Sequence, residues 1–207
     1  MRRIAVIADD LTGAMDTGLQ FSKTGLETMV SVTLDAIPEC QVARAAAQVH
    51  GRLLYKKVDS TMRGNVGHEL RAPYDLLRPR GIVVAPAFPR EGRTTWRGHQ
   101  RVDGKPLELT RYAKDSRWPM RESHLPALLM QQAGLPVRSL GLEAVSSGVK
   151  ALTSALRSLP EAIVVVDALE QAHLRTIARA LVALGDRWIP CGSAGLAEEW
   201  VAALGLE

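Results

Sequence analysis

The stretch from Leu53 to Ala85 opens on Leu53-Leu54-Tyr55-Lys56-Lys57, passes through Asn65-Val66-Gly67-His68-Glu69-Leu70, and ends on Gly81-Ile82-Val83-Val84-Ala85. Its two flanking runs have strand length, and residues 65–77 between them have helical spacing with Asn65 as N-cap. Strand, helix, strand is the repeating unit of a parallel sheet. The unit recurs outward in both directions. Before it, Arg3–Ala8 reads as a strand and Leu11–Lys23 as a helix that stops at Gly25, followed by a strand at Thr28–Leu34 and an Ala-rich helix at Val42–Val49. After it come helices at 123–132, 147–158, 171–184 and 194–204, alternating with strands at 136–140, 162–167 and 188–190. The alternation implies an α/β fold in three layers, a mostly parallel sheet with helices on both faces.

Residues 86–120 interrupt this rhythm. A connection of that length is far beyond the usual two to six residues of such folds, and long insertions usually carry function. Within it, Asp103-Gly104 suits a tight hairpin turn, although Pro106 limits how far a strand could pair beyond. There is no internal repeat and no Gly/Ser linker, so residues 1–207 read as a single domain.

Composition narrows the function classes. The 207 residues carry 26 Lys+Arg and 22 Asp+Glu, a net charge of +4, and 46% are hydrophobic. Disordered and collagen-like chains are excluded. Apolar runs such as Ile4–Ala8 fall far short of the ~20 residues that span a bilayer. Asp9-Asp10 interrupts the short run after Met1-Arg2-Arg3 before a secretory segment could form, which points to the cytosol. Cys40 and Cys191 share no metal or disulfide spacing and read as small buried hydrophobes, and the five histidines lie apart with no ligand spacing. Residues 71–125 hold 12 Lys/Arg against 6 Asp/Glu. That segment calls for an anion, but its cations are interleaved with acids and aromatic residues are few, which argues against nucleic acid.

Ligands of a parallel sheet bind beyond the carboxyl ends of its strands, where loops and helix N-termini converge. Four polar clusters fall there. Asp9 and Asp10 either cap the following helix or accept a proton or hydroxyl hydrogen bond. Lys57, Asp59, Ser60, Arg63 and Gly64 either wrap a small polyhydroxy acid, Arg63 forking onto its carboxylate and Asp59 accepting from hydroxyls, or form an internal ion-pair turn. The run Phe88–Thr95, with Arg93 and Thr94, suits an anion or is a solvated basic loop. Gly192-Ser193-Ala194-Gly195 reads as an N-cap with tight packing in preference to an anion site. P-loop, dinucleotide-binding, nucleophile-elbow and zinc-protease signatures are absent.

Taken together these motifs resemble the N-terminal, sugar-binding domain of the four-carbon acid sugar kinases. The resemblance rests on Ala8–Ala14, Lys56–Asn65, Ala85–Thr95 with Gly98-His99, Val102–Gly104, Val166–Ala168 and Gly192–Leu196, in that order. It implies ATP-dependent phosphorylation of the terminal hydroxyl of a threonate- or erythronate-like acid. Asp9 and Asp10 would orient or deprotonate that hydroxyl. Thr12, Lys57, Asp59, Ser60, Arg63 and Gly64 would hold the acid, and Arg93 with Thr94 would close the pocket. ATP and Mg2+ are implied cofactors, but the family's main ATP site belongs to a C-terminal domain that this sequence lacks. A separate nucleotide-binding domain or chain is therefore an expected partner, and a homodimer is a further one. Two departures stand out. The region between Gly25 and Lys56 is about one strand-helix unit short, and the family's Asp-Ser-Arg is not found there, those letters occurring instead at Asp115-Ser116-Arg117. The competing reading is a decayed, non-catalytic binding or interaction module.

Overall fold

A computed structural model of the chain describes residues 4–8, 11–23 and 53–205. Asp9, Asp10, Cys40 and the strand and helix expected at 28–34 and 42–49 lie outside the described residues. In chain order the elements are β1 (Ile4–Ile7), α1 (Leu11–Ser22), β2 (Leu53–Lys57), α2 (Val66–Leu77), β3 (Gly81–Ala85), β4 (Arg93–Trp96), β5 (His99–Val102) and β6 (Lys105–Pro106). They continue with α3 (Leu125–Ala133), β7 (Val137–Leu140), α4 (Leu142–Ser146), α5 (Val149–Ser158), β8 (Ala162–Val166), α6 (Gln171–Leu184), β9 (Trp188–Gly192) and α7 (Ala194–Leu204).

Six strands form one parallel sheet in the order β1-β2-β9-β3-β8-β7. One face packs Leu54, Val58, Ile82 and Val84 under Leu70 of α2 and Leu125 and Leu129 of α3. The other packs Tyr55, Val83, Val164 and Val166 under Phe21 of α1, Leu152 and Leu156 of α5, Leu174 of α6 and Trp200 of α7. Strands buried on both faces explain the unbroken apolar runs.

Four local expectations change. Strand β9 runs through Pro190 to Gly192. Gly192 turns its carbonyl to β2, where it accepts from Val58 N at 2.9 Å. Pro190, two residues earlier, faces the same side without an N–H, and the β2–β9 ladder is confined to Lys56–Cys191 and Lys57–Gly192. The helix read at 147–158 begins at Val149, as α5, because Gly148 adopts a φ of 89°, and a separate short helix, α4, precedes it over Leu142–Ser146. Asn65 precedes α2 but its side chain makes no capping bond. The insertion is ordered: β4, β5 and β6 form an antiparallel sheet. Its hairpins turn on Arg97-Gly98 (φ 51° and 75°) and Asp103-Gly104 (φ 50° and 77°), the pairs of positive angles that match strand twist.

This small sheet sits on the carboxyl rim of the large one. Thr95 and Ala168, just past β8, exchange backbone hydrogen bonds of 2.9 and 3.0 Å. Gln100 Nε2 donates to Ser60 O, just past β2, at 2.6 Å. The insertion thereby becomes the roof of whatever the rim binds.

Candidate functional site

Lys56 and Lys57 end β2 and point to opposite faces, as alternate strand residues must. Lys56 is buried against α2, its Nζ 2.7 Å from Glu69 Oε2 and donating to Lys57 O at 2.8 Å. The contact with Glu69 is an ion pair without hydrogen-bond alignment, so charge holds it. Lys57 is 6% exposed, and its side chain has no ion pair or hydrogen bond among the described residues.

The loop that follows is organised by Asp59. Its Oδ2 accepts from Thr61 Oγ1, from Arg63 Nε at 2.7 Å and from Arg63 N at 3.4 Å. Burial works to raise the Asp59 pKa, but the bonds from Arg63 and Thr61 outweigh it and hold the carboxyl below its ordinary value. The same bond to Asp59 holds the Arg63 guanidinium still more firmly charged. Gly64 turns the chain at φ 103°, a conformation open to glycine.

Arg63 also reaches the insertion. Its Nη1 lies 3.3 Å from Asp115 Oδ2, and its guanidinium sits 5.4 Å from the centre of the Tyr112 ring. Arg111 stacks on that ring at 5.1 Å. Tyr112 Oη accepts from Arg111 Nη2 at 3.2 Å and Arg93 Nη2 at 3.3 Å. These bonds, Arg111's first, draw the phenol below its ordinary pKa against partial burial. Three guanidiniums thus surround one phenol, and Arg93 Nε is buried with no hydrogen-bond partner among the described residues.

Asp167 follows β8 and accepts from Arg97 N at 2.6 Å and Gly98 N at 2.9 Å, pinning the β4–β5 turn. Burial raises its pKa, offset in part by those two N–H groups and by His99. Ser123 Oγ donates to Glu108 Oε1 at 3.1 Å and lies 2.9 Å from His99 Nδ1. With the Ser123 proton directed to Glu108, His99 Nδ1 is the donor in their contact.

The structure therefore brings together Asp59, Arg63 and Arg93, with Ser60 tied to the roof through its carbonyl. Thr94 lies in β4, paired with Arg101. Thr12 is exposed in the first turn of α1, beside a groove of about 630 Å³ that Leu11, Met15, Asp16 and Leu19 also line. Ser193 caps α7 as expected, accepting from Gly195 N at 3.2 Å and donating to Ala87 O at 2.9 Å. Thr61, Tyr112, Arg111 and Asp115 join the site without having been singled out for it, and Asp167 holds a turn of the roof. The Arg111–Asp115 group lies in the insertion whose length was the available signal. Among the described residues, no three His, Cys, Asp or Glu side chains converge on a metal-sized site, and no helix is long and apolar enough to cross a membrane.

Much of the positive charge of residues 71–125 is engaged internally. Arg71 pairs with Asp75, Arg90 with Glu198, and Arg97 and Arg101 lie on Trp96.

The geometry has counterparts. Over 94% of its length the chain is 36% identical to a D-threonate kinase of Bordetella bronchiseptica and 34% identical to one of Salmonella typhimurium. It is 35% identical to a D-erythronate kinase of Heliobacterium modesticaldum over 86%. It covers 53%, 52% and 48% of those proteins, so the chain spans about half the length of the curated relatives it matches. A crystallised domain of unknown function from Bordetella bronchiseptica, a domain-swapped dimer with bound citrate, superposes with a TM-score of 0.82 at 32% identity. That match covers 97% of this chain and 56% of the other. A Haemophilus influenzae protein shares the fold at a TM-score of 0.80 and 23% identity. Residues 4–49 and 36–200 match the sugar-binding N-terminal domain, and with nearly the whole chain accounted for in this way, it belongs to that family.

Proposed function

We propose that residues 1–207 form one sugar-acid-binding domain, the substrate half of an ATP-dependent kinase for four-carbon acid sugars of the threonate and erythronate type. The observation that carries this is Lys57. Lys57 is 6% exposed as a residue and has no counter-charge among the described residues, and an anionic ligand at the rim would supply one. Arg63 and Arg93 supply directional donors for a carboxylate, and Asp59 and Ser60 supply acceptors for hydroxyls. The names of the relatives give the four-carbon acid, and the citrate held by the Bordetella structure is a hydroxy carboxylate of related chemistry. Asp9 and Asp10 are assigned to orient or deprotonate the attacking hydroxyl on the family's motif alone.

The kinase relatives imply ATP and Mg2+, and the packing of one candidate turn argues against a phosphate there. The Gly192–Gly195 turn has a phosphate-binding composition. Its Ser193 oxygen already caps Gly195 N, and a Cβ on Gly192 or Gly195 would stand 2.6 Å from Ala85 O or 3.0 Å from Ala87 O. The nucleotide is assigned to a further domain or partner chain, and this half should bind without turnover. Two charge-assisted contacts of ~1.5–3 kcal/mol each place the affinity at about millimolar to tens of micromolar. Calorimetric titration with D-threonate, D-erythronate and 3-oxo-tetronate tests the reading. Saturable heat from at least one supports it, and no heat from any at millimolar ligand overturns it.

A further inference from the structure

Arg63 carries two carboxylates, and they are held in different ways. Asp59 belongs to the same loop and binds Arg63 through Nε at 2.7 Å, with Thr61 on the same oxygen. Asp115 arrives from the insertion and meets Nη1 at 3.3 Å, beyond the usual range for such a bond. Its other oxygen, Oδ1, accepts from Arg117 N at 3.0 Å and Trp118 N at 2.8 Å. Those two bonds fix the local turn whether or not Arg63 is engaged. Asp115 is therefore anchored on its own segment and only loosely on the guanidinium. The site around it is cationic, with Arg93 and Arg111 both on Tyr112, whose ring also lies under Arg63.

We infer that Asp115 is an internal stand-in for the ligand carboxylate: it occupies the Nη1 side of Arg63 in the ligand-free chain and is displaced when a carboxylate binds. The exchange substitutes one carboxylate for another on the same guanidinium, so Arg63 never stands unpaired. It also couples the site to the roof, because the displaced residue belongs to the segment carrying Arg111 and Tyr112. This rests on the proposed reading of the chain as a binder of sugar acids.

Asp115→Asn tests it. An asparagine Oδ1 still accepts from Arg117 N and Trp118 N, so the turn survives, while the charge competing for Arg63 is gone. Water screens this ion pair, so removing its charge changes affinity by a factor of up to about five. Citrate, D-threonate and D-erythronate are titrated into the unsubstituted chain and into Asp115→Asn, with Arg63→Gln as the loss control. The inference expects Asp115→Asn to bind about two- to fivefold more tightly than the unsubstituted chain, and Arg63→Gln to bind least. Equal or weaker binding by Asp115→Asn overturns it, as does a failure of Asp115→Asn to bind any of the three. Tighter citrate binding with no binding of either sugar acid upholds the stand-in and overturns the proposed substrate.

Discussion

Two ion pairs leave the end of β2 within a few residues of each other. Lys56 and Glu69 are 1% and 7% exposed, locked between the sheet and the first turn of α2. Arg63 and its partners Asp59 and Asp115 are 37%, 23% and 23% exposed, suspended between the β2 loop and the insertion. In the first pair, each charge has been taken out of water and depends on the other, so neither can be released. In the second, water still screens the charges, and exchanging a partner costs little. Pairing a cation with a carboxylate therefore gives a structural pin in one place and an exchangeable grip in the other. Lys57, between them, belongs with the second group although it is as buried as the first.

The largest effect should come from breaking the pin. Lys56→Met strands Glu69 in the core and should lower unfolding stability by about 3–5 kcal/mol. The double variant Lys56→Met/Glu69→Leu should recover most of that loss, because it removes both charges. Urea midpoints of the single and double variants check this. A single-variant loss no larger than that of a surface pair would place Lys56 with Arg63 and erase the contrast.

Lys57→Met sharpens the comparison at the neighbouring position. Removing a cation that has no counter-charge among the described residues should leave stability unchanged or raise it, while affinity for the sugar acid falls about ten- to hundredfold. Parallel urea and calorimetric titrations separate the two effects. A stability loss like that of Lys56→Met would make Lys57 a second pin.

The smallest effect belongs to Asp59. Its folded pKa lies below its unfolded value of about 3.9, so its contribution is fully present above that value. The contribution is lost as pH falls through the lower folded pKa. It should amount to at most about 1 kcal/mol and shrink with added salt, whereas the Lys56–Glu69 contribution should barely respond to salt. Asp59→Asn compared with the unsubstituted chain, at neutral and acid pH in low and high salt, reads the difference.

The layers of the fold were legible because the inner strands, such as Ile82–Ala85 and Ile163–Val166, are unbroken apolar runs that only a doubly covered sheet accommodates. The insertion was not. Arg93-Thr94-Thr95-Trp96 and His99-Gln100-Arg101-Val102 carry no apolar alternation, because β4 and β5 form a roof instead of a core layer. Of its two turns, Asp103-Gly104 could be read from composition, whereas Arg97-Gly98 takes the same geometry with a residue type that gives no warning. The β2 loop was legible as a cluster of chemistry but not as to which group it faces. Arg63 is engaged by Asp115 from 52 residues away, and Asp167 receives Arg97 and Gly98 from about 70 residues away, pairings that no local pattern encodes. Asp115-Ser116-Arg117, out of place by sequence order, lies beside Arg63 once the insertion folds over the rim.

The position of β9 has a consequence for synthesis. Strand β9, the last of the described strands in chain order, lies between β2 and β3, so among the described residues the two halves of the sheet share no backbone ladder until residues 188–192 have been made. A nascent chain stopped before that point carries two unpaired inner edges, each a template for aggregation. The rim that bears Lys57 and Arg63 gains its backbone ladder toward β3 when this strand slots in, and until then the roof bonds at Ser60 and Ala168 are what tie it to β8.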